Sequence, residues 1–369
     1  MLYYLSEFSN SFGPLRLFEY ITFRAGGAAA TAFLLVALFG SRFAAMLRAF
    51  NLRAADRYKD VLPEELLDKR KNSTPCMGGI LLIGAVLLSS LLWSRWGARN
   101  GISWILMGGT LAFALIGFLD DFLKVFHQKR DGLPGKLKLL GQFIAGGIVM
   151  WLFWRSPDLN PIMKSLIVPF VKNPISFGSW WWILPIFSVA IIIVGAANAV
   201  NLTDGKDGLA SGGTIFCSLS YAVFTYLMGH KYFADYLDLP YIVGIEEAVV
   251  FAAALGGGCV GFLWHNCHPA SMFMGDTGSL ALGGAIGMLA VLSRQELILA
   301  VIGGVYVMEI ISVMLQVASF KLTGKRIFLC TPIHHHFERK GWTETQIVVR
   351  FWILSGIFAL MALATLKLR

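Results

Sequence analysis

Long apolar segments, separated by shorter polar ones, run through the whole chain. A helix needs about 20 mostly apolar residues to cross the roughly 30 Å hydrocarbon core of a bilayer. Ten segments approach that length: Ile21–Met46, Cys76–Trp96, Gly101–Leu119, Leu139–Trp154, Trp180–Val200, Leu209–Met228, Ala248–Trp264, Ser279–Ser293, Leu297–Ser319 and Val348–Leu366. The eighth is short, and its start could move back toward Met274. The pattern predicts an all-α polytopic integral membrane protein with about ten transmembrane helices in a single domain, residues 1–369.

The Lys and Arg residues are unevenly divided between the two sides that ten spans would define. Eighteen lie in the loops after the first, third, fifth, seventh and ninth spans, whereas nine lie in the termini and the other loops. Loops rich in Lys and Arg stay in the cytoplasm, so we expect both termini to be extracytoplasmic. On that outer side, Pro157–Gly178 is long enough for a small hairpin with strands at Ser165–Val168 and Phe170–Val171.

The composition supports a membrane protein and excludes other classes. Hydrophobic residues make up 56% of the 369 residues, charged residues only 14%, and the mean hydropathy is +0.66. A disordered chain is excluded by the 28 Phe, 11 Trp and 10 Tyr. The net charge of +9 does not indicate nucleic acid, because the basic residues form no stripe with aromatic ones. Anionic membrane lipids or an anionic substrate fit the charge better.

Five polar stretches interrupt the apolar pattern, and all of them fall on the side rich in Lys and Arg. They are Ser73–Gly79, Phe118–Asp121, Asn198–Gly208, His265–Ser279 and Pro332–Trp342. Charged groups at the rim of a membrane helix are costly, so a cluster of them is a functional candidate by default. We therefore expect one site that faces the cytoplasm.

Carboxylates at the predicted span ends are the chemistry that these stretches share. Asp120 and Asp121 are adjacent and repel each other, which a divalent cation or a shared proton would compensate. Asp204, Asp207 and Asp276 add three more. Hard oxygen ligands in this number suit Mg²⁺, which keeps several waters and bridges to substrate phosphates. A solvated helix end is the alternative for the adjacent pair.

Two further polar patterns stand out. The side chains of His334–His336 cannot all face one way on a helix, which favours an irregular loop with one or two imidazoles directed into the site. Asn198, Asn201, Asp204 and Asp207 recur at steps of three, which on a helix would form one polar face. The alternative for this second pattern is an ordinary loop, with turn-forming glycines between the polar residues.

Together the five stretches resemble the polyprenyl-phosphate N-acetylhexosamine-1-phosphate transferase superfamily. The resemblance extends from about Thr22 to Arg369, through STPCMGG, GFLDDFLKV, NAVNLTDGKDGLA, FMGDTGSLALGG and PIHHHFERKGW, followed by VVRFWI. The histidine run with Glu338 and Gly341-Trp342 is similar to the muramoyl branch. The resemblance implies a Mg²⁺-dependent phosphoglycosyl transferase of peptidoglycan biosynthesis, located in the bacterial cytoplasmic (inner) membrane as a homodimer. Its substrates would be UDP-N-acetylmuramoyl-pentapeptide and undecaprenyl phosphate, and its products lipid I and UMP.

The same resemblance implies roles for individual residues. Asp276 would be the principal magnesium ligand. Asp120 would deprotonate or orient the lipid phosphate, with Asp121 beside it, and His335 would contact the donor phosphate or sugar. Phe273 would stack on uracil, and the lysines would hold phosphates. The full set of implied substrate-binding residues is Lys71, Lys124, Lys138, Asn201, Asp204, Gly205, Asp207, Asn266, Phe273, Gln316, His334 and His336.

Lys206, Cys76 and the acidic first cytoplasmic loop depart from the family pattern, and three other functions compete with the one implied. Lys206 stands where the family commonly has an apolar residue. A sister enzyme that transfers N-acetylglucosamine-1-phosphate would differ mainly around His334–Trp342. A cation transporter would use Glu309 and Gln316 in the ninth span as part of an ion path, although these two could equally form a structural hydrogen-bonded pair. An inert scaffold would leave the acidic cluster unexplained.

Overall fold

The computed structural model describes residues 1–50, 74–126, 132–171 and 173–367. Within these ranges the chain is mostly helical, as the apolar pattern predicts. The helices are α1 Ile21–Ala49, α2 Gly79–Trp93, α3 Ile102–Phe126, α4 Gly135–Arg155, α5 Ile183–Phe187, α6 Val194–Thr203, α7 Leu209–Gly229, α8 Lys231–Tyr236, α9 Glu247–Asn266, α10 Gly275–Leu292, α11 Glu296–Ile302, α12 Gly304–Thr323, α13 Ile333–Arg339 and α14 Glu344–Ala364. Short 3₁₀ turns flank several of them, at Leu2–Phe8, Gly13–Glu19, Arg99–Gly101, Ile162–Lys164, Gly178–Trp180 and Thr365–Lys367.

Eight helical segments in the described ranges are long and apolar enough to cross a membrane. They are α1, α3, α4, the segment Gly178–Thr203, α9, α10, α12 and α14. Of the two other predicted spans, α2 has only 15 residues, and α7 has 21 residues but carries many Ser, Thr and Gly positions. An all-α polytopic membrane protein is thus confirmed, whereas the number of ten spans and the orientation of the termini stay predictions.

Two of the predicted spans are interrupted within the membrane-length segment. A π-helical turn at Ser188–Ile193 joins α5 to α6, so the fifth span changes its helical geometry halfway along. Gly303 separates α11 from α12 in the ninth span. A π-helical turn like the one at Ser188–Ile193 shifts the register of the residues that follow it, and such turns are frequent near functional sites. The end of α6 carries Asn201, one of the predicted site residues.

Helix α10 occupies the centre of the bundle, with nearly its whole length buried. It packs closely against α3 because Gly117 has no side chain there: a Cβ on Gly117 would lie 2.1 Å from the carbonyl oxygen of Asp276. On another face, a Cβ on Gly283 would lie 2.4 Å from the carbonyl oxygen of Ala196 in α6. Glycines that permit such close approach are typical of membrane helix packing. The end of α3 and the end of α6 therefore meet at the start of α10.

The predicted hairpin is present between α4 and α5, but its second strand lies later in the chain than predicted. Strand β1, Ser165–Leu166, pairs antiparallel with β2, Ile175–Ser176. The prediction that Phe170–Val171 forms the second strand is wrong. Phe170 has a φ of +67°, so the backbone turns there, and pairing resumes only after Pro174.

Candidate active site

Three buried carboxylates meet where α3 ends and α10 begins. Asp120 and Asp121 lie near the end of α3, Asp276 lies in the first turn of α10, and each is at most 5% exposed. One oxygen atom from each lies within 4.8 Å of the others. Because they are buried and close together, a solvated helix end does not describe the adjacent pair. The structure brings together the predicted catalytic carboxylates, while their roles stay predictions.

Asp121, on α3, binds the first residues of α10 through its side chain. Its Oδ1 accepts a hydrogen bond from the backbone N–H of Asp276 at 3.1 Å. Its Oδ2 accepts from the backbone N–H of Thr277 at 2.9 Å and from the Thr277 hydroxyl at 2.7 Å. The first backbone N–H groups of a helix have no partner within the helix, and an anion is favoured there. Asp121 therefore fixes the position of Asp276 relative to α3.

Two lysines connect the other two carboxylates. Lys124, one turn after Asp120 on α3, forms an ion pair with Asp120 and donates to Asp276 Oδ2 at 2.7 Å. Lys138, in the first turn of α4, also donates to Asp276 Oδ2 at 2.7 Å and lies 3.5 Å from Asp120 Oδ2. Asn201 donates to Asp276 Oδ1 at 3.0 Å. Four elements, α3, α4, α6 and α10, thus contribute polar groups to one buried cluster.

The carboxylate cluster fits a divalent cation by its donor atoms and its charge. If all five groups are ionised, three carboxylates and two lysines leave one net negative charge. Asp120 and Asp276 present carboxylate oxygens to the cluster, whereas both oxygens of Asp121 bind the start of α10. Mg²⁺ prefers such oxygen ligands. Asp120 and Asp276 are therefore the residues best placed to hold one.

A second group of potential ligand atoms is formed by Asp207, His268 and Glu344. Its atoms already serve protein contacts: Asp207 Oδ2 accepts from Ala270 N at 3.1 Å and lies 3.2 Å from His268 Nδ1. Lys206 also lies 3.7 Å from Glu344. Because the Lys206 ammonium group already supplies a positive charge there, this group is better described as an ion-pair network than as a metal site.

The residues implied in nucleoside binding line the turn between α6 and α7 and its surroundings. Asp204 is the residue that ends α6, and it is half-buried, as is Gly205. Asn266 is buried, and its side chain accepts from Gly208 N at 3.0 Å and donates to Met272 O at 3.0 Å. Asn266 therefore joins this turn to the loop that follows α9. The residue type alone did not reveal this positioning role.

Phe273 is held by backbone pairing with the segment before α2. Its N–H donates to Pro75 O at 2.8 Å, and its carbonyl oxygen accepts from Gly78 N at 2.8 Å. The ring is half-buried. The polar stretch around Pro75 is thus brought beside the start of α10, as the predicted single site requires. Lys71 and the acidic residues of the predicted first cytoplasmic loop lie outside the described residues.

The three consecutive histidines lie on a short helix, α13, so the prediction of an irregular loop is wrong. Each imidazole has a different partner, which is what a helix requires of adjacent residues. His334 Nδ1 lies 3.1 Å from Glu309 Oε1, His335 Nδ1 lies 2.8 Å from Glu338 Oε2, and His336 Nδ1 accepts from Leu329 N at 3.1 Å. His334 also approaches the α6–α7 turn, where a Cβ on Gly205 would lie 2.6 Å from its Nε2.

Gln316 and Glu309 do not form the structural pair that their spacing allowed. The Gln316 carboxamide bonds the backbone of the loop before α13, accepting from Ile327 and Phe328 and donating to Phe328. Glu309 instead faces His334, and both are fully buried. Each residue therefore supports the segment that carries the histidines.

Sequence analysis did not include two acidic residues, Glu338 and Glu344, among the site residues. Glu338 contacts His335 and Lys206, and Glu344 accepts from Asp207 N at 3.2 Å. Burial disfavours the charged form of Glu338, but the hydrogen bonds from His335 and Lys206 and the charge of Lys206 outweigh burial and lower its pKa to about 2. The capping box at Thr343 and Gln346 could have located the start of α14 and hence Glu344.

Comparisons with known proteins agree with this arrangement. Residues 103–294 match the family described as Glycosyl transferase family 4. Three full-length relatives carry the name phospho-N-acetylmuramoyl-pentapeptide-transferase. They come from Methylacidiphilum infernorum (isolate V4), at 47% identity, from Rhodopseudomonas palustris (strain BisA53), at 46%, and from Dinoroseobacter shibae (strain DSM 16493 / NCIMB 14021 / DFL 12), at 47%, and each alignment covers 100% of both chains.

Proposed function

The chain belongs to the phospho-N-acetylmuramoyl-pentapeptide-transferase family, and from that premise we propose its reaction. It transfers phospho-N-acetylmuramoyl-pentapeptide from UDP-N-acetylmuramoyl-pentapeptide to undecaprenyl phosphate and releases lipid I and UMP. The observation that carries the proposal is the buried cluster of Asp120, Asp276, Lys124 and Lys138 at the meeting point of α3, α4 and α10.

The proposed reaction joins two anionic phosphates, and their mutual repulsion is the main electrostatic obstacle. Phosphoryl transfer asks chiefly for positioning and for neutralisation of charge. Lys124 and Lys138 supply two positive charges at one point, and their hydrogen bonds to Asp276 hold them there in the absence of substrate. Asp276 and Asp120 would be the protein ligands of a bound Mg²⁺, and the ion would supply polarisation of the phosphoryl oxygens.

Asp120 is placed to act on the acceptor phosphate. Its Oδ1 accepts from Leu133 N at 2.8 Å, and its other oxygen faces Lys124 and Lys138. Because the Leu133 N–H fixes one oxygen of the carboxylate, a lipid phosphate that displaces the lysine contacts would meet the other oxygen as an oriented base. Asp121 supports this geometry through its hold on the start of α10.

The donor side of the site is formed by the α6–α7 turn and α13. Phe273 lies between α9 and α10 as the ring that would stack on uracil, and Asn201 lies beside Asp276. Burial and the neighbouring charge of Lys206 lower the pKa of His335, so its imidazole is neutral at pH 7, while Glu338 opposes this shift. With its Nδ1 directed at the Glu338 carboxylate, Nε2 of the neutral ring is a hydrogen-bond acceptor for the donor.

Release of UMP by the purified protein tests the proposed reaction. We expect UMP when undecaprenyl phosphate, Mg²⁺ and UDP-N-acetylmuramoyl-pentapeptide are all supplied, and none when EDTA replaces Mg²⁺. UDP-N-acetylglucosamine is the matched control donor, because it shares the nucleotide and differs in the sugar and peptide. Efficient turnover of that control donor, with none of the muramoyl donor, would instead identify the sister activity.

Orientation in the bacterial cytoplasmic membrane is tested by cysteine labelling. A single cysteine at Lys136, in a background that lacks the five native cysteines, should react with a membrane-impermeant maleimide only from the cytoplasmic side. A cysteine at Lys231, the exposed first residue of α8, is the control and should react from outside. Labelling of the Lys136 position from outside would contradict the proposed orientation. The implied homodimer stays a prediction.

A further inference from the structure

Lys206, in the turn between α6 and α7, is buried between two carboxylates. Its side chain is 4% exposed. Its Nζ lies 2.5 Å from Glu338 Oε1 on α13 and 3.7 Å from Glu344 Oε2 at the start of α14. Lysines are almost never fully buried unless they are paired. The ion pair therefore accounts for the burial of this lysine.

Glu338 connects this lysine to a predicted catalytic residue. One of its carboxylate oxygens accepts from Lys206, and the other lies 2.8 Å from His335 Nδ1. A carboxylate accepts and does not donate, so His335 Nδ1 carries the proton of this hydrogen bond. Lys206, Glu338 and His335 thus form one continuous chain of charge-assisted contacts, in which Lys206 fixes the carboxylate that orients the imidazole.

The residues on either side of Lys206 contact the same elements. Gly205 approaches His334, whose Nε2 would lie 2.6 Å from an added Cβ. The backbone N–H of Asp207 donates to Glu344 Oε1 at 3.2 Å. Three consecutive residues of the α6–α7 turn therefore meet α13 and the start of α14. The turn that carries the implied nucleoside contacts is coupled to the helix that carries the histidines.

We propose that Lys206 is a positioning residue for the proposed transfer: through Glu338, it holds His335 in one orientation and as the Nδ1-protonated neutral imidazole. This role rests on the proposed function only in its consequence for turnover. The link from Lys206 to His335 is a property of the folded protein and can be measured without substrate.

The charges around His335 set the direction of the expected effect. They are Glu338 and His334 on its own helix, Lys206 from the α6–α7 turn, Glu344 at the start of α14, and Glu309 of α12 behind His334. Burial and the charges of His334 and Lys206 lower the pKa of His335, whereas Glu338 raises it. Because the charge of Lys206 is one of the causes that lower the pKa of His335, removal of that charge raises the pKa.

The test compares Lys206→Gln, Lys206→Met and Lys206→Arg. Exchange of the imidazole Cε1 hydrogen, followed by mass spectrometry, reports the pKa of His335 without turnover. We expect the pKa to rise by about one unit in the two neutral variants and to stay close to the original in Lys206→Arg. In parallel, kcat for UMP release should fall about tenfold in Lys206→Met, with the acidic limb of its pH profile moved upward, and Lys206→Arg should restore most of it.

Arg24→Met is the matched control. Arg24 is also a buried cation, paired with Glu247 at 2.7 Å, but this pair lies at the end of α9 opposite Asn266. The control should lower the melting temperature and leave the pKa of His335 unchanged. An unchanged pKa of His335 in Lys206→Gln and Lys206→Met would overturn the positioning role, as would an equal loss of kcat at every pH. Absence of UMP release by the unaltered protein would overturn the proposed function instead, and the exchange measurement would still decide the link.

Discussion

Asp276→Asn is expected to lower turnover at least about a hundredfold, which corresponds to about 3 kcal/mol of transition-state stabilisation. Asn preserves the side-chain volume and one oxygen but removes the negative charge that faces Lys124 and Lys138. Without that charge, the two lysines lose one of the carboxylates that they share, and a divalent cation loses its principal proposed ligand. The measurement is Mg²⁺-dependent UMP release, beside Mn²⁺ binding followed by electron paramagnetic resonance.

A helix-capping role for Asp276 would give a different result. A capping residue contributes about 1 kcal/mol to stability, so its loss would lower the melting temperature and leave turnover nearly normal. The geometry disfavours that role, because Asp121 supplies the side-chain oxygens that bind the start of α10. Asp235→Asn, the same substitution at an exposed position on α8, is the control and should change neither quantity. Nearly normal turnover and unchanged Mn²⁺ binding in Asp276→Asn would contradict the metal-ligand assignment.

The helical architecture could be predicted from the apolar pattern because spanning a bilayer requires long hydrophobic helices. The boundaries could not, since they depend on tertiary contacts. Helix α10 begins at Gly275, four residues before Ser279 and next to the alternative start at Met274, because Asp121 of another helix binds its first N–H groups. The ninth span is divided at Gly303, although apolar residues continue on both sides of it. Hydropathy alone does not register either feature.

Most residues that the structure brings together at the candidate site could be singled out from the sequence, but their partners could not. Carboxylates at span ends are costly, which is why Asp120, Asp121 and Asp276 could be singled out. Their division of labour was not visible, because Asp120 and Asp121 are adjacent and chemically identical. Only their directions differ: Asp120 faces two lysines, whereas Asp121 faces the backbone of α10. The pairing of Lys206 with Glu338 was likewise hidden, because it joins residues 132 positions apart.

Asp121→Asn is expected to reduce both stability and turnover, unlike Asp276→Asn. The carboxylate accepts three hydrogen bonds in a buried site, from Asp276 N, Thr277 N and the Thr277 hydroxyl. An amide retains one oxygen and turns an NH₂ donor toward a group that also donates. A buried donor left without an acceptor costs about 1–3 kcal/mol, so the apparent melting temperature should fall by several degrees. Turnover should fall about tenfold or more, because Asp276 moves with the start of α10.

The melting temperature and the turnover of Asp121→Asn together show whether Asp121 positions α10 or acts on the reacting groups. Thr277→Val is the graded control, because it removes only the hydroxyl bond to Asp121 and keeps the two backbone bonds. It should lower the melting temperature less than Asp121→Asn and retain most of the turnover. If Asp121→Asn loses turnover without any loss of thermal stability, Asp121 acts on substrate or metal directly. The hold on α10 would then not explain its effect, and the proposed division of labour between Asp120, Asp121 and Asp276 would be wrong.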